Sequence, residues 1–156
     1  MLFRSRGTRQ GSCSARLPSC GDSRHRDCPS SIKEKLHEEI ERLISHHRVN
    51  TFYVGTQGKF DRMAYAALVE LRKRYQHIKI YRVLAYMPKP GDNDTADTIV
   101  PEGIENAHPR YAIVHRNNWM IDHSDYVIAY VTHTFGGAYQ AVERAKKKGK
   151  ITIQIR

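Results

Sequence analysis

Between Ser31 and His47, the apolar residues Ile32, Leu36, Ile40, Leu43 and Ile44 recur at spacings of three and four. That is the period of a helix with one apolar stripe. Ser31 and Glu34 form an S-x-x-E capping box at its start, and the helix is expected to stop near His47. The β-prone run Thr51 to Val54 ends at Gly55, after which Phe60, Met63, Ala64, Ala67, Leu68 and Leu71 repeat the helical period. A strand over Ile78 to Ala85 follows, then a helix over Val114 to Asp122 and a strand over Tyr126 to Val131. The chain closes with a helix over Tyr139 to Lys147 and a strand over Lys150 to Ile155. Strands alternate with helices, and the central strands are apolar without a period of two. This pattern predicts an α/β fold with one mainly parallel, doubly wound sheet and helices on both faces.

Two segments stand outside that alternation. Residues 86–112 carry Pro88, Pro90, Pro101 and Pro109 beside an acidic cluster, and read as a long, mostly irregular connection with a functional role, a flap over the ligand edge of the sheet. Residues 1–24 are rich in Arg, Ser and Gly, show neither period, and read as a disordered or aberrant leader to a single domain spanning 25–156. The leader is Arg- and Ser-rich like an organellar transit peptide, but Gly7, Gly11 and Pro18 interrupt any amphipathic helix. No strand precedes the first helix, whereas the first strand of a doubly wound sheet is usually central. Residues 13–24 offer only Leu17 as a large aliphatic side chain, followed by Pro18, which has no ladder donor. The expectation is therefore that the first strand is lost or altered, and that a frameshift or a misassigned start has replaced it.

With 156 residues and 40% hydrophobic content, the chain is large enough for a core of its own. Its longest apolar runs fall far short of a membrane span, so no membrane association is expected. The net charge of +10 raises nucleic acid as a partner. Six arginines in residues 1–30, set against Asp22 and Asp27, supply +4 of it. The Arg72–Arg74 and Lys146–Lys150 clusters lie at predicted helix ends, where cations suit the negative end of the dipole. Cys13, Cys20 and Cys28 are an odd set with no secretory signal, which points to a reducing, cytoplasmic setting, and their spacing fits no usual zinc site. His37-Glu38-Glu39 lacks the second histidine of a zincin, and Asp92, Asp94 and Asp97 lack the glycine and terminal glutamate of a calcium loop. No metal and no cofactor is expected.

Three junctions fall at the carboxyl ends of the predicted strands, where ligands gather in such sheets. Gly55-Thr-Gln-Gly58-Lys-Phe-Asp61 runs from strand to helix, either as a plain turn or as a set of helix N-terminal amides facing an anion. Thr132 and Thr134 offer hydroxyls ahead of Gly136-Gly137, which offers bare backbone at a helix start, with Glu143 further along. His115-Arg116-Asn117-Asn118-Trp119-Met120 places Arg116 and Met120 one helical turn apart, with Arg116 able to clamp a phosphate or to form a surface salt bridge.

Taken together, TFYVGTQGKFDRMAYAAL, DTIVPEGIENAHPRYAIVHRNNWMIDHSDYVIAYV and THTFGGAYQAVERAKKKGK resemble the YpsA-like branch of the SLOG superfamily. These are Rossmann-like proteins related to the LOG phosphoribohydrolases and to DNA-processing protein A. The resemblance runs from about His25 to the C-terminus. It implies that Arg116 and Met120 match the LOG Arg-x-x-x-Met helix, and that Gly136, Gly137 and Glu143 match the P-G-G-x-G-T-x-x-E loop. Thr98, Pro101 and Glu102 match the family's loop motif. This chain departs from the loop with Phe135 in place of Pro and Tyr139-Gln140 in place of Gly-Thr. The branch also carries a strand ending in Gly-His-Arg; here His25 and Arg26 remain but Arg24 stands at the glycine position.

The implied function is binding or sensing of a nucleotide or nucleotide-derived small ligand. Its expected site comprises Gly55, Gly58, Asp61, Arg116, Asn117, Met120, Thr132, Thr134, Gly136 and Gly137. The alternative is N-glycosidic hydrolysis of a nucleoside monophosphate, with Glu143 stabilising the oxocarbenium-like ribose and Arg116 holding substrate. A third reading is single-stranded DNA binding, and homo-oligomerisation is compatible with each.

Overall fold

A computed structural model describes residues 31–88 and 97–155, with the side chain of Ser31 set aside. The expectations for the leader, for His25, Arg26 and the three cysteines, for the Ser31 cap, and for Pro90, Asp92 and Asp94 lie outside the described residues.

Helix α1 spans Ser31–His47, and its stripe Ile32, Leu36, Ile40, Leu43 and Ile44 is 0–3% exposed. Each such side chain contributes about 1.5–3 kcal/mol by leaving water. The helix ends where Arg48 turns to φ 53° and the Val49 amide bonds back to the Leu43 carbonyl at 3.1 Å. Strand β1 is Thr51–Gly55, helix α2 Lys59–Arg74 and strand β2 Lys79–Val83. The long connection holds a two-residue strand β3, Thr98–Ile99, and two 3-10 turns at Ile104–Asn106 and Pro109–Tyr111. Helix α3 covers Ala112–Asp122, β4 Tyr126–Tyr130, α4 Gly137–Lys147 and β5 Ile151–Ile155.

All strand pairing among the described residues is parallel. It forms two sheets, β1-β2-β3 and β4-β5, where the hydrophobic pattern predicts one. A run of apolar residues marks a strand but carries no information about which edges meet. Both sheets nevertheless share a single core, in which Phe52, Val54 and Ile80 join Val127, Ile128 and Ala129, closed by α1, α2 and α4. Successive side chains of a strand point to opposite faces. Tyr53 accordingly belongs to a second cluster with Val83, Met120 and Trp119, so α3 covers the other face of β1 and β2. β1 and β4 are the most deeply buried strands, each with four of five residues inside.

The 97–112 segment is more structured than its prolines suggest. Ile104 is 4% exposed, and His115 Nε2 lies 2.9 Å from the Glu102 carbonyl, docking the segment onto α3.

Candidate functional site

Gly55 is the last residue of β1 and sits against a buried ion pair. A Cβ at that position would lie 2.5 Å from Arg116 Nη1 and closer still to Asp61 Oδ2. Asp61 in the first turn of α2 and Arg116 in the middle of α3 are 1% and 0% exposed, with Oδ2 and Nη1 3.9 Å apart. Oδ2 also accepts the Gln57 amide at 3.1 Å, and Arg116 Nε donates to Asn117 Oδ1 at 3.2 Å. Burial pushes the Asp61 carboxyl up to about 6, against the opposing pull of Arg116 and the Gln57 amide. Burial likewise lowers Arg116, opposed by Asp61. At 3.9 Å the charges attract without a direct hydrogen bond, so desolvation outweighs pairing. Arg116 is thus no surface salt bridge; buried against Asp61, it joins α3 to the β1–α2 junction. Met120, one turn on, is 1% exposed in the Tyr53 cluster, on the same side of α3 as the spacing predicts.

Gly58 and Gly136 cap α2 and α4 in the same conformation, φ 97° and ψ 168° against φ 90° and ψ 171°. Only glycine adopts that region readily. Each therefore swings the chain from a strand's carboxyl end into a helix, leaving amides of the first turn outside the helical ladder. Phe60 and Tyr130 stack at 6.2 Å with 15° between their planes, which brings the two junctions side by side.

Beyond Tyr130 the chain opens onto a cavity of about 590 Å³. Thr132, His133 and Thr134 line it from the turn, Tyr139, Glu143 and Lys146 from α4, and Gln154 from β5. Glu143 Oε1 accepts from Lys146 Nζ at 2.8 Å. Nothing lies within 4 Å of the positions a Cβ would take at Gly136 and Gly137. Phe135, at the tip of the turn, is 68% exposed and stacks on His133 at 5.1 Å and 17°.

The expected site residues thus fall into two groups. Gly55, Asp61, Arg116 and Asn117 converge in a buried knot, with Gly58 at the adjoining start of α2 and Met120 one turn along α3 in the Tyr53 cluster. Thr132, Thr134 and Glu143 instead line the cavity, with Gly136 and Gly137 in the same turn and helix start. Arg116, the partner assigned to Glu143 in hydrolysis, is not among the residues that line this cavity. Sequence reasoning missed Tyr130, His133, Tyr139, Lys146 and Gln154. Lys146, three residues after Glu143, and Gln154, the polar residue in the otherwise apolar and β-branched ITIQI, were the available signals.

The basic clusters do sit at helix ends, where acids engage them. Arg72 faces Asp97 at 3.6 Å, Arg74 faces Glu41 at 2.5 Å, Arg144 and Lys148 share Asp122, and Lys146 has Glu143. Among the described residues, no group of three metal-ligating side chains is placed to hold an ion, and no helix is long and apolar enough to cross a membrane. A scan of the chain against protein-family models finds no match, and a search among curated proteins finds no relative.

Proposed function

We propose that this chain binds a nucleotide or nucleotide-derived small ligand at the junction of β4 and α4. The observation that carries the reading is the cavity of about 590 Å³ beside a glycine-capped helix start, with Thr132 and Thr134 in its lining. Its volume falls in the range of small-ligand sites, roughly 300–1,000 Å³. Helix N-terminal amides suit an anionic group, and hydroxyls suit a ribose or phosphate. The resemblance to SLOG proteins points the same way. On this reading the two sheets are halves of one doubly wound, Rossmann-like sheet, with the heavily buried β1 and β4 as inner strands and the ligand at their carboxyl ends.

Thermal unfolding in the presence of AMP, NAD and ADP-ribose tests the proposal. A bound nucleotide at about a hundred times its Kd raises stability by about 2.7 kcal/mol. No stabilisation by any of the three would overturn it.

One observation favours a second reading, hydrolysis of the N-glycosidic bond: Glu143 lies in the cavity lining. Arg116, its assigned partner, is held 0% exposed against Asp61, so the reaction has less support than binding. Release of free base from AMP, abolished in Glu143→Ala, is its expected signature. Single-stranded DNA binding ranks third, because cations of both helix-end clusters already face carboxylates.

A further inference from the structure

Phe135 has the greatest exposure of the large apolar side chains among the described residues, at 68%. A single exposed apolar residue is ordinary on a protein surface. Its setting here is not: the ring lies nearly parallel to His133, itself part of the cavity lining, and most of the side chain is left to water. The same turn sends Thr132 and Thr134 into the cavity and ends at Gly136, over which the space is open.

Resting on the nucleotide-binding reading above, we infer that Phe135, backed by His133, is the platform on which the ligand's heteroaromatic base stacks. The contact with the His133 ring favours one orientation of Phe135, which lowers the rotamer freedom to be lost when a second ring settles on it. The anionic end of such a ligand has the N-terminal amides of α4 within the same turn and helix start. A stacked base is read by its π-face rather than by hydrogen bonds to its edge, which makes the site tolerant of base identity. The ligand class is therefore a base-bearing anion, and a sugar phosphate without a base fills only part of the site.

Calorimetric titration of the full chain with AMP and with ribose 5-phosphate tests this. Base–aromatic stacking corresponds to about a tenfold gain in affinity or more. The expected result is at least that preference for AMP over ribose 5-phosphate. Phe135→Ala should erase the preference by weakening AMP alone, and Phe135→Trp should restore it. The melting temperature should be unchanged in both variants, because the ring is exposed. Equal affinity of the two ligands, an unchanged preference in Phe135→Ala, or a parallel fall for both ligands would each overturn the stacking assignment while leaving nucleotide binding intact. Failure of AMP to bind the native chain would overturn the platform, and the nucleotide reading falls with it only where NAD and ADP-ribose fail as well.

Discussion

Gly55→Ala places one methyl group into the tightest contact at the β1–α2 junction. The added Cβ would stand 2.5 Å from Arg116 Nη1, 3.0 Å from Arg116 Cζ and nearest of all to Asp61 Oδ2. These are the far ends of side chains and would swing aside at little cost if they had room. They have none, since Arg116 is 0% and Asp61 1% exposed. Overpacking of this kind costs about 1–3 kcal/mol. Gly55 has no positive φ, so alanine fits the backbone and recovers about 0.4–1 kcal/mol by restricting the unfolded chain. The net destabilisation is then roughly 1–2 kcal/mol, rising toward about 3–5 kcal/mol if the methyl drives the buried charges apart. For a chain of this length, 1–2 kcal/mol lowers Tm by roughly 2–8 °C. Differential scanning calorimetry of native and variant chains reads the shift. A Tm equal to or above the native value would show that the ion pair does not press on β1, and the account of Gly55 would fail.

Three further outcomes follow from the same geometry. Asp61 has a folded pKa of about 6 against an ordinary 3.8, so its contribution is fully present below the ordinary value and lost as pH rises through about 6. Urea unfolding at steps from pH 4 to 7 should show native stability falling relative to Asp61→Asn by up to about 3 kcal/mol, and a flat difference would refute the shift. Gly136→Ala meets no neighbour within 4 Å but must hold φ 90°, so it should cost about 1–3 kcal/mol from backbone strain alone, read by the same unfolding assay. His115→Ala removes the contact to the Glu102 carbonyl, and amide exchange across Ile104–Asn106 should quicken several-fold, as the loss of a bond worth about 1 kcal/mol requires.

The helices and strands were legible because burial leaves a periodic trace. Every residue of the Ile32–Ile44 stripe lies in the core; β2, β4 and β5 fall within the segments the apolar runs marked, and β1 runs one residue past its own, to Gly55. β3 was not legible, because two residues are too few to show a period and the flanking prolines suggest a loop. Arg116 illustrates a different limit. Its spacing to Met120 correctly put both on one face of α3, but a charged residue signals an exposed face until its partner is known. That partner, Asp61, comes from another helix and leaves no mark in the local pattern. The cavity was half legible for the same reason: Thr132, Thr134 and Glu143 belong to one local motif, whereas Gln154 reaches it from β5 through sheet pairing.

Glycine has three separable uses here, and Gly137 has neither of the two that the fold itself accounts for. Gly55 is required by crowding and Gly136 by its positive φ. Gly137 is the first residue of α4, has no positive φ, and its added Cβ would meet nothing within 4 Å. Within the protein alone it is a net loss, since alanine is more stable in a helix by up to about 1 kcal/mol. The proposed ligand supplies the third use, a group approaching the bare backbone of the helix start where a methyl would intervene. Gly137→Ala should therefore raise Tm by roughly 1–4 °C and at the same time weaken AMP binding. Calorimetric titration alongside thermal unfolding separates the two effects. A variant that is more stable and binds AMP as tightly as the native chain would show that nothing approaches this backbone, and would move the anionic end of the ligand away from α4.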